Sequence, residues 1–273
     1  MDNKSRNDEK IKKEVRKFWN SSPCGTFKIK EKEGTLEYFK EIDDYRYNRY
    51  PYCYGYIYDV IGFSKYKGKK VLEVGCSVGT DLSQFAKHGA IVTGIDLTPE
   101  GIRLAKERFK TMGLKGTLKT ADAENLPFDD NSFDIVYSFG VLHHTPNTQK
   151  TIDEVYRVLK KGGEAKIMLY HKNSFETLTH IVRKIKNPSR WKWSLQKAIN
   201  YQTEMNRDSE GVTNPLTKVY SKSEVKKMFK KFKNVDVKVY WLRIPFFSKY
   251  TPEWLVYPLS RTLGWHLIIK AKK

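Results

Sequence analysis

Two sets of side chains in this sequence are spaced as though they could do chemistry. The first is aromatic and basic: His143 and His144 in "YSFGVLHHT", and Tyr170 followed directly by His171 in "IMLYH". A neutral imidazole takes up a proton near neutral pH, and a phenol can orient an acceptor, so these are candidate general-base and positioning groups. The second set suits a nucleotide-like ligand. In "VLEVGCSVGTD" an apolar run stops at Gly75 and the chain restarts after Gly79. Glycine accepts torsions that a side chain obstructs and lets a ligand approach the main chain. Asp96 closes "AIVTGID", where a carboxylate can accept both hydroxyls of a ribose, and "DAENLPF" sets Asp122 beside the small Ala123, suited to an adenine ring and its amino group. Ser77 stands where such turns often carry a third glycine.

The elements that must position these groups alternate. "KVLEVG" reads as a strand and "TDLSQFAKHG" as a helix closed by Gly89. "AIVTGID" is a strand, and "TPEGIRLAKERFKTMG" a helix with Thr98 as N-cap and Pro99 in its first turn. "TLKTAD" and "FDIVYSFG" are strands, "TQKTIDEVYRVLKKGG" a helix ended by Gly162, and "EAKIMLY" the fifth strand. Further along, "SKSEVKKMFKKF" reads as a helix and "VDVKVYWLRI" and "WHLIIKAKK" as strands. This rhythm predicts an α/β fold, a doubly wound, seven-stranded, mostly parallel sheet. Its expected divisions are an N-terminal helix and tyrosine-rich cap segment (1–60), a ligand-binding core (61–171), an insertion after the fifth strand serving as substrate cap (172–220), and the final helix and strands (221–273). Ile11, Val15, Phe18 and Trp19 mark one face of an amphipathic helix near the N-terminus.

Composition bounds the partners. Of a formal charge of +20, +15 lies in residues 172–273, where 22 Lys or Arg face 7 acids. Such a region can attract RNA, anionic lipid or a phosphorylated substrate, yet Lys outnumbers Arg 39 to 12, against the preference of nucleic-acid sites for the arginine fork. Charge runs are most often solvated faces. The three cysteines, Cys24, Cys53 and Cys76, form no CxxC pair, which argues against a zinc knuckle, predicts no metal site, and suits a reducing cytosol. The N-terminus has no apolar h-region and no run reaches the roughly 18 apolar residues of a spanning helix, so the expected location is cytoplasmic, with peripheral membrane contact through "YWLRIPFFSKYTPEWLVYPL" as a second reading.

The glycine turn and Asp96 fit a nicotinamide dinucleotide as well as S-adenosylmethionine, but the dinucleotide fingerprint needs G-x-G-x-x-G and this loop lacks a glycine at 77. Taken in order, "LEVGCSVGTD", "GIDLTPE", "DAENLPFDDNSFDIVYSFGVLHH" and "EVYRVLKKGGEAKIML" resemble the class I S-adenosylmethionine-dependent methyltransferases, in particular the small-molecule branch that includes the quinone-biosynthesis enzymes. The resemblance covers about residues 68–171 and the final helix and strands. It implies S-adenosyl-L-methionine as cofactor and methyl transfer to a small-molecule or lipid-like acceptor at O, N or C. By the same resemblance, Glu73 and the loop from Gly75 through Cys76 to Gly79 surround the methionine end. Asp96 holds the ribose with Leu97 beside the adenine, Asp122 and Ala123 flank the adenine, and Ser138 and Phe139 line the methionyl end. In similar enzymes the first histidine of the pair faces the acceptor and the second packs beneath it, which selects His143 as base, with His171 and Tyr170 orienting substrate. Ser77 is tolerable in this reading because no pyrophosphate presses on the turn. The run 45–58 carries seven tyrosines in fourteen residues, and Tyr45, Arg46, Tyr47 and Arg49 are candidates for a lid: aromatic faces attract a sulfonium and arginine a carboxylate. RNA methylation through the basic C-terminal third is the alternative, although "SFGV" lacks the Asn/Asp-Pro-Pro-aromatic signature of enzymes that methylate planar amino nitrogens; a non-catalytic cofactor-binding protein is a third reading.

Overall fold

Strand β1 (Lys70–Val74) carries Val71, Leu72 and Val74 fully buried, so apolar side chains point to both faces of the sheet. A strand covered on both sides reads as a continuous apolar run, the mark of an interior parallel strand. In this computed structural model, residues 3–27, 29–49, 56–202, 214–242 and 253–273 are described. The helices are α1 (Asn3–Ser21), α2 (Leu36–Asp44), α3 (Tyr56–Ile61), α4 (Thr80–Lys87), α5 (Pro99–Thr111), α6 (Thr148–Val158), α7 (Phe175–Ile185), α8 (Leu195–Gln202), α9 (Lys222–Met228) and α10 (Glu253–Leu263). The remaining strands are β2 (Ile91–Asp96), β3 (Thr117–Thr120), β4 (Phe133–Phe139), β5 (Leu159–Tyr170), β6 (Lys233–Tyr240) and β7 (His266–Lys272).

The sheet is seven-stranded, ordered β3-β2-β1-β4-β5-β7-β6, with β7 antiparallel to both neighbours. From β1 the chain first winds outward through β2 and β3, then returns to β4 on the other side of β1. That reversal opens a crevice at the carboxyl ends of β1 and β4, where open α/β sheets take their ligands. Leu72 and Val74 pack in one apolar layer with Ile152, Val155 and Phe229, and Val71 packs in the other with Phe85, Ile102 and Phe109. Both faces of the sheet are therefore covered.

Local chemistry explains the boundaries. Thr98 caps α5, its hydroxyl accepting from the Gly101 amide, and Ser221 opens α9 with a reciprocal capping box to Glu224. The helix expected to reach Gly162 stops at Val158 instead. Leu159 is extended and fully buried, and it pairs with Phe133, after which the register shifts so that Ile135 faces Glu164. "KKGG" is thus a β-bulge at the start of a long strand, and a side chain at Gly163 would press on the Lys160 and Asp134 carbonyls. α2, α3 and the π-helical turn Tyr45–Arg49 were not marked by the sequence pattern. The tyrosine run is helical at both described ends, and residues 50–55 lie outside the described part, as do 243–252 of the aromatic segment offered as a membrane contact.

The N-terminal segment is tied to the core by charge. Arg108 of α5 has no exposed side-chain surface; its Nη1 donates to Asp43 Oδ1 at 2.5 Å and its guanidinium lies over the Phe39 ring. Removing Asp43 leaves that cation buried and unpaired, so Asp43→Ala should cost about 3 kcal/mol in urea denaturation, whereas the double change Asp43→Asn with Arg108→Met should cost less. Equal losses would show that the pair does not anchor α2.

Candidate functional site

The turn after β1 is built around two left-handed glycines, with φ 78° at Gly75 and 75° at Gly79. A side chain at Gly75 would collide with Val141, so only glycine fits. The amides of Gly75 and Cys76 both donate to the Ile95 carbonyl, at 2.8 and 2.9 Å, holding the turn against the end of β2. Ser77 is also left-handed, with φ 45°. This is the physical reason a third glycine would suit the position, and freedom from a pyrophosphate alone does not make serine tolerable there. The conformation is strained for a side chain, and two hydrogen bonds offset the strain: the Ser77 amide donates to Asp96 Oδ2 at 2.8 Å and its hydroxyl to the Cys24 carbonyl at 3.2 Å. The other oxygen of Asp96 accepts from the Thr98 amide and hydroxyl at 2.9 and 2.6 Å. The Leu97 amide also bonds this carboxylate, so all four donors reach Asp96 from its own strand end and the glycine turn. Burial raises the pKa of Asp96 despite these donors.

A cavity of about 710 Å³ opens on this turn. Among the residues expected at a cofactor site, Glu73, Gly75, Cys76, Asp96, Leu97, Asp122, Ala123 and Phe139 line it. Gly79 does not; it serves as the N-cap of α4. Nor does Ser138, whose buried hydroxyl donates to the Val74 carbonyl at 2.8 Å. Lys12, Val15 and Trp19 of α1 line the cavity from above, and Glu176 and Arg183 of α7 with Arg190 line it from the insertion. Asp122 is already engaged: Lys12 Nζ lies 2.7 Å from its Oδ2 and 3.3 Å from Glu124 Oε2. Burial works against the Lys12 charge, but these two carboxylates hold its pKa above the ordinary lysine range.

Of the lid candidates, Tyr45 and Arg46 line the cavity and Tyr47 does not, while the side chain of Arg49 lies outside the described part. Arg46 and Tyr47 converge on Asp81, a residue the sequence reading passed over. Asp81 is buried in the first turn of α4 and accepts from Arg46 Nη2, the Tyr47 hydroxyl and the Tyr137 hydroxyl, each at 2.6 Å. An acid in the first turn of a helix after a glycine turn was the available signal. Burial alone would raise Asp81, yet the Arg46 charge and these hydrogen bonds hold it below the usual carboxylate range. Glu73 beside it behaves oppositely: burial and the Asp81 charge push its pKa well up, and its Oε2 has no hydrogen-bond partner.

The histidines fall in a different order from that expected. His144 lines the cavity, and His143 is fully buried outside it, its ring centroid 4.0 Å from that of Tyr170 and 4.3 Å from that of His144. Burial lowers the His143 pKa well below the usual imidazole value, and neither ring nitrogen has a hydrogen-bond partner among the described residues. His144 Nδ1 lies 2.7 Å from the Leu216 carbonyl and 3.1 Å from Asn214 Nδ2; in the tautomer that donates to the carbonyl, the shorter contact, Nε2 is the basic nitrogen. Tyr170 lines the cavity, but His171 does not; its Nδ1 donates to the Gly264 carbonyl at 2.9 Å. His266 of β7, which no motif marked, lines the cavity, with Nδ1 2.5 Å from the Tyr56 hydroxyl and its pKa well lowered by burial and the Arg46 charge.

The opposed carboxyls make a pH signature. A lowered Asp81 contributes stability that is present above the ordinary carboxylate range and lost as pH falls through its folded value. A raised Glu73 does the reverse: the folded protein keeps a proton that the unfolded chain releases above about pH 4.3, so stability is lost as pH rises. Glu73→Gln should match the parent in urea denaturation near pH 4 and exceed it at about pH 8. A variant weaker than the parent at the higher pH would mean that Glu73 is charged in the fold.

Residues 72–167 match the family described as methyltransferase domain. Three relatives match part of the chain: a sterol 4-C-methyltransferase of Caenorhabditis elegans (32% identical over 123 residues, 40% of this chain), a phthiotriol/phenolphthiotriol dimycocerosates methyltransferase of Mycobacterium tuberculosis (45% over 98 residues, 35%), and a ubiquinone biosynthesis O-methyltransferase of Coxiella burnetii (39% over 98 residues, 36%). The matched stretch spans 36, 36 and 42% of their own lengths. The fold resembles that of an S-adenosylmethionine-dependent methyltransferase from Methanosarcina mazei, with TM-score 0.56 and 23% identity over 79% of this chain and 97% of that one. The chain's strand order and glycine turn thus frame a methyltransferase domain over residues 72–167.

Proposed function

We propose that the chain transfers a methyl group from S-adenosylmethionine to a small, lipid-like acceptor enclosed in the cavity between the sheet and its two covering segments. One observation carries this reading: the same cavity is lined by Gly75, Asp96 and Leu97 and by the neighbouring rings of Trp19, His144, Tyr170 and His266. The cofactor supplies an electrophilic methyl group on a sulfonium. Asp96 lines the cavity where a ribose hydroxyl can exchange with one of its donors, Leu97 and Ala123 offer apolar surface for adenine, and a cationic group entering beside Glu73 would favour its ionised form. The names of the sequence relatives, which concern a sterol, a mycobacterial lipid and a quinone precursor, support an apolar acceptor. So does the wall formed by Val15, Trp19, Phe27 and Met168.

In this arrangement His144 takes the place first given to His143. With Nδ1 donating to the Leu216 carbonyl, its Nε2 is the basic nitrogen, and Tyr170 and His266 line the cavity with it. Alignment of acceptor and methyl group can supply about 7–11 kcal/mol, and a positioned base adds about 10²–10⁴-fold. The buried His143 supports the ring of Tyr170 from beneath. No lysine of α9 or β6 lines the cavity, so the basic C-terminal third brings no phosphate-binding groups to this chemistry from those elements.

Asp96→Ala should weaken S-adenosylhomocysteine binding by about 1–3 kcal/mol in calorimetry; unchanged affinity would remove Asp96 from the site. With an acceptor found by screening sterol, quinone and lipid fractions for label from tritiated S-adenosylmethionine, His144→Ala should lower kcat by about 10²–10⁴-fold without changing cofactor affinity. His143→Ala should instead lower the urea midpoint, through the cavity left under Tyr170. The opposite pattern would restore His143 as the base.

A further inference from the structure

We infer that the outward side of α7, extended by Trp191 and Leu195, docks on an anionic membrane surface and sets the mouth of the cavity against the lipid. α7 has three distinct sides. Thr177 and His180 are buried against the body, and Glu176 and Arg183 line the cavity. Leu178, Val182 and Ile185 are 52, 40 and 61% exposed. Residues spaced four and then three apart share one side of a helix, so these form a continuous apolar stripe facing solvent. Scattered exposed apolar residues need no explanation, but a contiguous stripe does. Trp191, 63% exposed, donates from Nε1 to the Ile185 carbonyl at 2.7 Å, which pins its indole at the C-terminal end of the stripe. Leu195, 43% exposed, opens α8 just beyond. An indole with its N–H satisfied, at the edge of an apolar strip, suits the boundary between water and lipid.

Charge selects the occupant. Residues 172–202 carry seven Lys or Arg and one acid, Glu176. Arg183, Lys186 and Lys192 have no carboxylate partner among the described residues, and Arg190 is held over the rings of Trp193 and Tyr201. Cations bordering an apolar stripe attract anionic headgroups while the stripe enters the acyl boundary. A second copy of this chain would instead bring +20 against +20, and RNA would leave the apolar stripe without a role. Arg183 and Arg190 belong both to the basic border and to the cavity wall, so the docking surface and the cavity mouth are continuous. That the acceptor enters from the lipid phase rests on the methyl-transfer reading above; docking itself does not.

The test is flotation of the full chain with vesicles of phosphatidylcholine alone and of phosphatidylcholine mixed with phosphatidylglycerol, across a salt series. The parent should bind only the anionic vesicles, less tightly as salt rises. Leu178→Glu with Ile185→Glu should weaken that binding by at least about tenfold, and Lys186→Glu with Lys192→Glu should weaken it and flatten the salt dependence. Calorimetry with S-adenosylhomocysteine should be unchanged in both double variants, which shows that they are folded. It also separates the two readings, since a chain that floats without binding S-adenosylhomocysteine keeps the docking surface and loses the cofactor. The inference is overturned if the parent does not distinguish the two vesicles or if the apolar pair floats like the parent. It is equally overturned if sedimentation shows a dimer that the apolar pair dissolves while vesicle binding is nil, or if the parent binds an RNA probe but no vesicle.

Discussion

Asp81 must remain charged while almost wholly buried at the cavity wall, and four groups from three parts of the chain are committed to that task. The first turn of α4 favours a negative charge, Arg46 and Tyr47 arrive from the π-helical turn after α2, and Tyr137 arrives from β4. The resulting cluster fastens the N-terminal segment to the sheet at its switch point. It also fixes the state of Glu73, because two carboxyls so close in a buried site do not both ionise. Arg46, spent on this cluster and laid over the Phe139 ring at 4.4 Å, is a wall of the cavity more than a mobile hand.

The sheet was legible because its signals are local. Apolar runs end at glycine, Thr98 and Pro99 announce α5, and each element is short enough for one cap to decide it. The failures have physical causes as well. At Gly162 a helix stop and a bulge look alike, and only the pairing of Leu159 with Phe133 decides between them. α2 is held by Arg108 and by a third apolar cluster with Val78 and Leu104, contacts that depend on residues far along the chain.

In the site, Asp96 could be read from its position at a strand end, since the backbone alone puts it at the crevice. The histidine pair could not. His143 and His144 lie in the short 3₁₀ turn Leu142–His144, where successive side chains diverge by roughly a third of a turn, and which one meets the cavity depends on Leu216 and Tyr170. His266 reaches the cavity only because β7 inserts between β5 and β6. The basic excess of the C-terminal third likewise separates by location. Lys233 and Lys238 are exposed on β6, the terminal strand of the sheet, where lysines discourage pairing with another chain, whereas Arg183 and Arg190 stand at the cavity.

The late insertion of β7 bears on how the protein is made. The lining of the cavity includes both Lys12 and His266, so it draws on nearly the whole length of the chain. Contacts of such sequence separation form slowly, because a long loop must close before any of them is gained. Until β7 has been synthesised, β5 offers an unpaired edge with Ile167 and Leu169 on one face and Met168 on the other, the kind of surface on which nascent chains stick to one another. The chain is therefore most exposed to misassembly during the interval between its fifth and seventh strands, and the segment that covers its cavity is produced within that interval.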